Sequence, residues 1–267
     1  MAIIFAKVIK DRGNALVVLF HASLVFMTVY GAAAICAGQE VPRFTTVAPG
    51  ISYTTFDQRP PDGEPFSGHA FRIDLGEAEL RLAPAGGASS KQTVEQIALP
   101  FPAVVAVNAS FFDKEGRAMG VAVSEGRPIG TGKRNSWGAL VVSGKDARIV
   151  LGSDIPDHST DRLIVQGIPR LVVGGKVPRL KPQVAERTAV CAAGSHVVMV
   201  VATKAETTAF ARFLAEPSEK AGLGCSDALN LDGGPSTQLV VRLPALTLSL
   251  RGGWGVPNAL VAVPGKR

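Results

Sequence analysis

The stretch that decides this chain's interpretation is residues 227–239, Asp-Ala-Leu-Asn-Leu-Asp-Gly-Gly-Pro-Ser-Thr-Gln-Leu. An apolar run leads into Asp232, and the two glycines that follow carry no side chain to cover its carboxylate. Glycine permits positive φ angles and close approach of a ligand to the backbone. The pattern therefore predicts an exposed carboxylate at a strand end, followed by the hydroxyls of Ser236 and Thr237. A tight Asp-Gly hairpin is the alternative interpretation.

The composition describes a packed globular protein. Of the 267 residues, 46% are hydrophobic and only 19% are charged, which excludes a disordered chain. The 29 glycines and 18 prolines predict many turns between short strands. We expect an α+β fold, in which a mixed, largely antiparallel β-sheet assembly carries a few packed helices. Because no repeat or linker interrupts the pattern, residues 69–267 are expected to form one domain.

The first 38 residues have the pattern of a secretory signal peptide. Lys7, Lys10 and Arg12 form a basic segment, residues 15–30 are mostly apolar, and small residues follow at 31–34. An uncleaved membrane anchor is the alternative, but the apolar run is short for a span of about 20 residues. We therefore expect export to the periplasm or the outside of the cell, with no stable membrane span after processing.

Residues 39–68 are expected to be an irregular lead-in, because five prolines interrupt them, with one strand near 51–56. Removal of the leader leaves Cys191 and Cys225. An oxidising compartment would allow them to form a disulfide, although two buried free thiols would fit the sequence too. The leader holds three basic residues and one acidic residue, so the net charge falls from +6 to about +6 − 2 = +4. That excess favours anionic ligands, and without a basic cluster we do not expect nucleic acid as a partner.

A second informative stretch is residues 108–113, Asn-Ala-Ser-Phe-Phe-Asp, which follow a buried strand pattern at 103–107. An amide, two aromatic rings and an acid emerge there together, as at a sugar-binding edge. An asparagine that closes a strand, with both rings in the core, is the alternative. The chain has no His-Glu-x-x-His, Gly-x-Ser-x-Gly or phosphate-loop motif. With these motifs excluded, the chemistry that the sequence favours is that of a carboxylate assisted by an arginine and amides.

Three blocks of the sequence resemble the signatures of the phosphodiester glycosidase family. They are residues 108–113, residues 186–189 (Glu-Arg-Thr-Ala) and residues 224–237, and they occur in the family's order. Residues 256–260 are similar to the family's closing strand, and residues 166–171 to a segment of its bacterial members. The resemblance implies hydrolysis of a sugar-1-phosphodiester at the anomeric carbon, with a glycan or glycosyl phosphodiester as the partner.

The resemblance also implies roles for individual residues. Asp232 would stabilise an oxocarbenium-like centre, attack it, or act as a base toward water. Arg187 would hold the phosphate through its planar fork of donors. Glu186 is the most natural second carboxylate. The residues expected to bind substrate are Asn108, toward a sugar hydroxyl, Phe112, Asp113 (also a candidate second carboxylate), Gly233, Gly234, Ser236 and Thr237.

No cofactor is required by these motifs, although Asp232 and its neighbours are compatible with a divalent ion. Two other functions fit the same residues. One is a non-catalytic domain that binds cell-envelope glycan or exopolysaccharide. The other is a carboxylate glycoside hydrolase that does not require phosphate and would be indifferent to the arginine.

Overall fold

Antiparallel β-sheets dominate the computed structural model, which describes residues 41–61, 63–87, 89–132, 134–155 and 163–265. The predicted signal peptide lies outside the described residues. In chain order the elements are β1 (Thr45–Ala48), β2 (Ile51–Gln58), β3 (Phe66–Asp74), β4 (Ala78–Pro84), α1 (Val94–Ile97), β5 (Val104–Asn108), β6 (Ala122–Ser124), β7 (Arg127–Pro128), β8 (Gly138–Ser143), β9 (Asp146–Leu151), β10 (Leu163–Gly167), β11 (Arg170–Val172), β12 (Val184–Ala193), β13 (His196–Glu206), α2 (Thr207–Ala215), β14 (Ala228–Asn230), β15 (Leu239–Leu243), β16 (Leu246–Leu250) and β17 (Asn258–Pro264).

The described strands form three sheets. One has seven strands in the order β1-β2-β3-β13-β12-β14-β11, and two have five strands, β7-β6-β10-β8-β9 and β16-β15-β5-β17-β4. Every described strand pair is antiparallel. The prediction of a largely antiparallel assembly is therefore confirmed, and its mixed character is not. With only two described α-helices, the fold is more strongly β-rich than a balanced α+β class.

The segment expected to be an irregular lead-in is more ordered than its prolines suggest. Within residues 39–68 it contains β1 and β2, and β2 pairs with β3 from Ile51 to Gln58. The prolines of this segment lie outside β1 and β2. They therefore do not interrupt the ladder between β2 and β3, which needs the backbone amides of the strand.

Both faces of the seven-stranded sheet are covered, which explains its nearly continuous apolar strands. In β12, Val190 and Ala192 belong to a core shared with both five-stranded sheets. Ala189 and Cys191 point to the opposite face, where they pack with α2. Successive side chains of a strand alternate between faces, so burial on both sides removes the polar alternation that a half-exposed strand would show.

The segment that carries Asp232 crosses from one sheet to another. β14 ends at Asn230 in the seven-stranded sheet, and β15 begins at Leu239 in a five-stranded sheet. The amide of Leu231 still donates to the carbonyl of Thr188 at 2.9 Å, whereas the amide of Asp232 donates to that of Ala109 at 3.1 Å. The hairpin interpretation of this turn is wrong, because β14 and β15 do not pair with each other.

The two cysteines meet across the α2 face of the seven-stranded sheet. The sulfur atoms of Cys191, in β12, and Cys225, just before β14, lie 2.05 Å apart in a disulfide. Within the described part of the chain, no helix has the length and apolar character needed to cross a membrane.

Candidate active site

Asp232 lies at the junction of two sheets, and both of its backbone groups are held there. Its amide is bonded to Ala109, and its carbonyl accepts a hydrogen bond from Nδ2 of Asn108 at 2.6 Å. The amide of Gly233 donates to Oδ1 of the half-buried carboxylate at 3.0 Å. Burial raises the pKa of Asp232 above its ordinary value, and the Ser236 hydroxyl and the Gly233 amide offset part of that rise. The result is a fixed carboxylate that is more basic than a solvated one.

This raised pKa predicts that Asp232→Asn stabilises the fold near neutral pH. An acid with a raised folded pKa contributes stability below its unfolded pKa, and that contribution is lost as pH rises through the folded pKa. At about pH 7 the wild type therefore carries the cost of a desolvated charge, which the amide variant lacks. We expect the variant to melt at the same or a higher temperature at about pH 7, with the difference closing below about pH 4. A lower melting temperature at neutral pH would contradict the burial of the charge.

The two glycines after Asp232 serve different needs. A Cβ on Gly233 would lie only 2.8 Å from the carbonyl oxygen of Glu186, so no side chain fits between this turn and β12. Gly234 has φ +56°, and among the described atoms nothing lies within 4 Å of the position a Cβ would take. The backbone above Gly234 is therefore open to an approaching ligand.

Ser236 adds an unpaired polar atom beside the carboxylate. The residue is fully buried, at 0% exposure, and among the described residues its Oγ makes no hydrogen bond of normal geometry. It nevertheless lies near enough to Asp232 to lower the pKa of that carboxyl. Buried hydroxyls are nearly always hydrogen-bonded, and the neighbouring Asp232 carboxylate is the group to which this Oγ would donate. The role expected for Ser236 toward substrate stays a prediction.

Asn108 does not have the role that the sequence suggests. Its side chain is fully buried, with Nδ2 on the Asp232 carbonyl and Oδ1 accepting from Oγ1 of Thr188 at 2.7 Å and from the amide of Gln238 at 3.1 Å. An amide that is already bonded at both ends and excluded from solvent is not available to a sugar hydroxyl. The expected sugar contact is thus replaced by a positioning role, in which Asn108 ties β5, β12 and the Asp232 turn together.

Thr237 and Thr188 extend the same network. Thr237 is buried, and its Oγ1 accepts a hydrogen bond from Oγ1 of Thr188 at 3.3 Å. The structure therefore shows Thr237 bonded to Thr188 within the protein, in place of the expected exposure of its hydroxyl to substrate. Thr188 was not singled out from the sequence, although it stands in the Glu-Arg-Thr-Ala block. Strand alternation would have placed it on the face opposite Arg187.

Arg187 lies on the α2 face of β12 and is bonded within the protein. It is 4% exposed; its Nε donates to the carbonyl of Ala205 at 3.2 Å, and its Nη2 donates to Oγ1 of Thr207 at 2.6 Å and to the carbonyl of Gln183. Burial lowers the pKa of Arg187, and the carboxylate of Glu206 offsets part of this change. This arrangement corrects the expectation that Arg187 presents its fork of donors to phosphate, since the guanidinium closes the junction of β12, β13 and α2.

We therefore predict that Arg187→Met acts mainly on stability. Three acceptors lose a charged donor, so the free energy of unfolding should fall by about 2–4 kcal/mol with little change in KM. Arg212→Met, on the exposed side of α2, is the matched control and should alter stability by less than about 0.5 kcal/mol. Denaturant unfolding measures both. Normal stability with a strongly raised KM would restore the phosphate-binding role.

The two candidates for a second carboxylate differ in their surroundings. Glu186 is half-buried, its carbonyl adjoins Gly233, and it lies where the register of β12 against β13 shifts between Ala185 and Arg187. Asp113 instead closes a turn, in which it accepts from the amide and Nε of Arg117 at 2.9 and 2.8 Å. Partial burial raises the pKa of Asp113, but the hydrogen bonds from Arg117 outweigh it and leave the pKa below its usual value.

Two further residues near Asp232 escaped the sequence interpretation. Asn230 is buried, and its Nδ2 donates to the carbonyls of Ile168 at 2.9 Å and Leu231 at 2.6 Å. Its Oδ1 has no hydrogen-bond partner among the described residues. A Cβ on Gly167 would lie 2.3 Å from the Asn230 carbonyl, so only glycine fits there. The segment 166–171, noted from sequence for its resemblance alone, thus packs directly on the strand that leads to Asp232.

Phe112 lies in a cleft of about 500 Å³, where its ring contacts Trp254. A cleft of about 560 Å³ beside α2 contains none of the expected site residues, so volume alone does not locate the site. Among the described residues, no group of three or more His, Cys, Asp or Glu side chains is arranged to hold a metal ion.

Comparison with known proteins points to one family. A family model described as phosphodiester glycosidase matches residues 101–263. The catalytic domain of zebrafish N-acetylglucosamine-1-phosphodiester alpha-N-acetylglucosaminidase, solved in a form auto-inhibited by its pro-peptide, is 16% identical with a TM-score of 0.61. The match covers 85% of this chain and 89% of that domain. No curated protein matches the chain.

Two other solved structures share the fold. A hypothetical protein from Synechocystis is 16% identical with a TM-score of 0.55, over 97% of this chain and 72% of its own. A protein from Burkholderia pseudomallei, named as one expected to be exported, is 12% identical with a TM-score of 0.53, over 84% of this chain and 96% of its own. At these identities the likeness concerns the fold.

Proposed function

This chain belongs to the phosphodiester glycosidase family, and from this we propose that it is an exported hydrolase that cleaves a glycosyl phosphodiester at the anomeric carbon. One observation carries the proposal. Asp232 is fixed at the junction of two sheets, its pKa is raised by burial, and the unpaired hydroxyl of Ser236 lies beside it. A basic carboxylate beside an open glycine backbone suits attack at a sugar carbon.

The leaving group sets what the site must supply. A phosphate monoester leaves readily as an anion, so a strong general acid is less necessary than in ordinary glycosidases. The site must then stabilise the positive charge that develops at the anomeric carbon. Asp232 would meet it by electrostatic stabilisation, by forming a glycosyl ester, or by accepting a proton from the attacking water.

The neighbouring groups have separate tasks in this scheme. The Gly233 amide holds Oδ1 of Asp232, which fixes the carboxylate before substrate arrives. Ser236 Oγ would donate to the Asp232 carboxylate beside it, and the open backbone at Gly234 would let a sugar or phosphate oxygen approach. Glu186 is the better candidate for a second carboxylate, since Arg117 already occupies Asp113.

Product analysis tests this function. The purified mature protein is incubated with N-acetylglucosamine-1-phosphodiesters and with a panel of other glycosyl phosphodiesters. We expect a free sugar and a phosphate monoester from the wild type and neither from Asp232→Asn. Binding of the panel without release of any sugar would favour a glycan-binding domain. Equal release from uncharged glycosides would favour a hydrolase that does not require phosphate.

Export is supported by the leader pattern and by the name of the Burkholderia pseudomallei relative. N-terminal sequencing of the protein recovered from cell fractions tests it. A chain that begins after the small residues at 31–34 and is recovered outside the cytoplasm is the expected result. A chain that keeps residues 1–38 in the membrane fraction would support the anchor instead.

A further inference from the structure

A cleft of about 500 Å³ has two aromatic walls, one of which is hydrogen-bonded to Pro235 in the turn that follows Asp232. The rings of Phe112 and Trp254 meet edge to face, with centroids 6.4 Å apart. Trp254 is 58% exposed. A large aromatic side chain left this open in a cleft offers an apolar face to a ligand, since burying it would remove apolar area from water.

The cleft also holds a cation that is not neutralised. Nζ of Lys91 lies 5.3 Å from the centroid of the Phe112 ring, within the range of a cation–π contact. In the described part of the chain Lys91 makes no ion pair, whereas Lys114 lies 3.6 Å from a carboxylate oxygen of Glu115. The carboxylate of Asp113, the acid that lines the cleft, is bonded to Arg117. Lys91 is therefore the cation that lies against the aromatic wall of the cleft without a carboxylate partner.

Both walls are anchored to the segment that carries Asp232. The amides of Gly253 and Trp254 donate to the carbonyl of Pro235 at 2.8 and 3.2 Å, in the turn that follows the carboxylate. On the other side, Phe112 lies three residues after Ala109, and the carbonyl of Ala109 accepts a hydrogen bond from the amide of Asp232. A molecule held at Asp232 and extending along the turn would thus enter the cleft.

From this geometry we infer that the cleft binds the alcohol side of the phosphodiester, and that this group is a sugar ring carrying a negative charge. The inference rests on the proposed function, because it takes the anomeric carbon to lie at Asp232. The C–H face of a sugar ring would pack on Trp254, and its carboxylate or phosphate would pair with Lys91. A neutral alcohol would use the aromatic wall and leave the cation without a partner.

Three diesters of N-acetylglucosamine 1-phosphate test the inference, with glucose, glucuronic acid or glucose bearing a second phosphate as the alcohol. For wild type we expect KM about tenfold lower for the charged alcohols, the value of one charge-assisted hydrogen bond. Lys91→Gln should remove this difference, while Lys145→Gln, at an exposed turn, should keep it. Trp254→Ala should raise KM for all three substrates about three- to tenfold. The two charged alcohols separate carboxylate from phosphate recognition.

A binding measurement separates this inference from the proposed function. The chain has two tryptophans, so Trp137→Phe leaves Trp254 as the sole reporter, and the free sugars used as ligands contain no bond that the protein would hydrolyse. We expect glucuronic acid to change the fluorescence of Trp254 saturably and glucose to bind more weakly. Lys91→Gln should weaken the binding of glucuronic acid about tenfold. If this result is found and the wild type releases no sugar, the cleft binds an acidic sugar and only the proposed hydrolysis is overturned. Sugar release with equal KM for all alcohols and no fluorescence change would overturn the cleft alone.

Discussion

Asp232→Asn is expected to lower kcat/KM by at least about 10³-fold, because an amide neither attacks, accepts a proton, nor stabilises positive charge as a carboxylate does. The substitution keeps the shape of the side chain, and its Oδ1 still accepts from the Gly233 amide. The backbone bonds to Ala109 and Asn108 are untouched. The loss should therefore appear in turnover, with no loss of folding, and steady-state kinetics beside thermal melting measures both.

Asp146→Asn is the matched control for this substitution. Asp146 begins β9 and is exposed, with its carboxylate 3.4 Å from Nη1 of Arg148. Exposed ion pairs contribute little, so activity and melting temperature should stay at the values of the wild type. An Asp232→Asn protein that melts normally and keeps more than about a tenth of the activity would remove Asp232 from the chemistry.

Asn108→Ala is expected to damage both the fold and the reaction. The side chain makes three buried hydrogen bonds, and without it the Asp232 carbonyl, the Thr188 hydroxyl and the Gln238 amide lose their partner. At about 1 kcal/mol for each bond, the free energy of unfolding should fall by about 3 kcal/mol or more. Because the carbonyl of Asp232 is released, kcat should fall about 10²-fold, as small misplacements of catalytic groups do.

Asn258→Ala separates lost stability from lost positioning. Asn258 is equally buried, and its side chain bonds the amide and hydroxyl of Ser110 at 3.0 Å, without touching Asp232. It should destabilise the protein by a similar amount and reduce kcat far less. If Asn108→Ala instead raises KM with kcat and stability unchanged, the direct sugar contact suggested by the sequence is correct.

The sequence predicted the parts of this protein that depend on local pattern. Apolar runs between glycine turns indicated short antiparallel strands. The Asp-Gly-Gly stretch indicated an exposed carboxylate at a strand end, whereas Asp232 is half-buried in the structure. What the pattern lacked was strand pairing. β14 and β15 flank a turn that could close a hairpin, and only the long-range hydrogen bonds of β5 and β12 place them in separate sheets.

The roles of individual polar residues were less accessible, because burial decides them. Asn108 and Arg187 have the right chemistry for substrate, yet each is enclosed by groups distant in sequence, such as Gln238 for Asn108 and Ala205 for Arg187. Trp254 is exposed, and it was not singled out from the sequence. Its loop gives no local signal, and its nearness to Phe112 arises from the pairing of β17 with β5.

Hydrolysis in ¹⁸O-labelled water tests the central claim most directly, because cleavage on either side of the bridging oxygen yields the same sugar and the same phosphate monoester. If water or Asp232 attacks the anomeric carbon, the heavy oxygen enters the sugar, and mass spectrometry finds the phosphate monoester unlabelled. Label in the phosphate monoester would mean attack at phosphorus, and the protein would be a phosphodiesterase rather than a glycosidase.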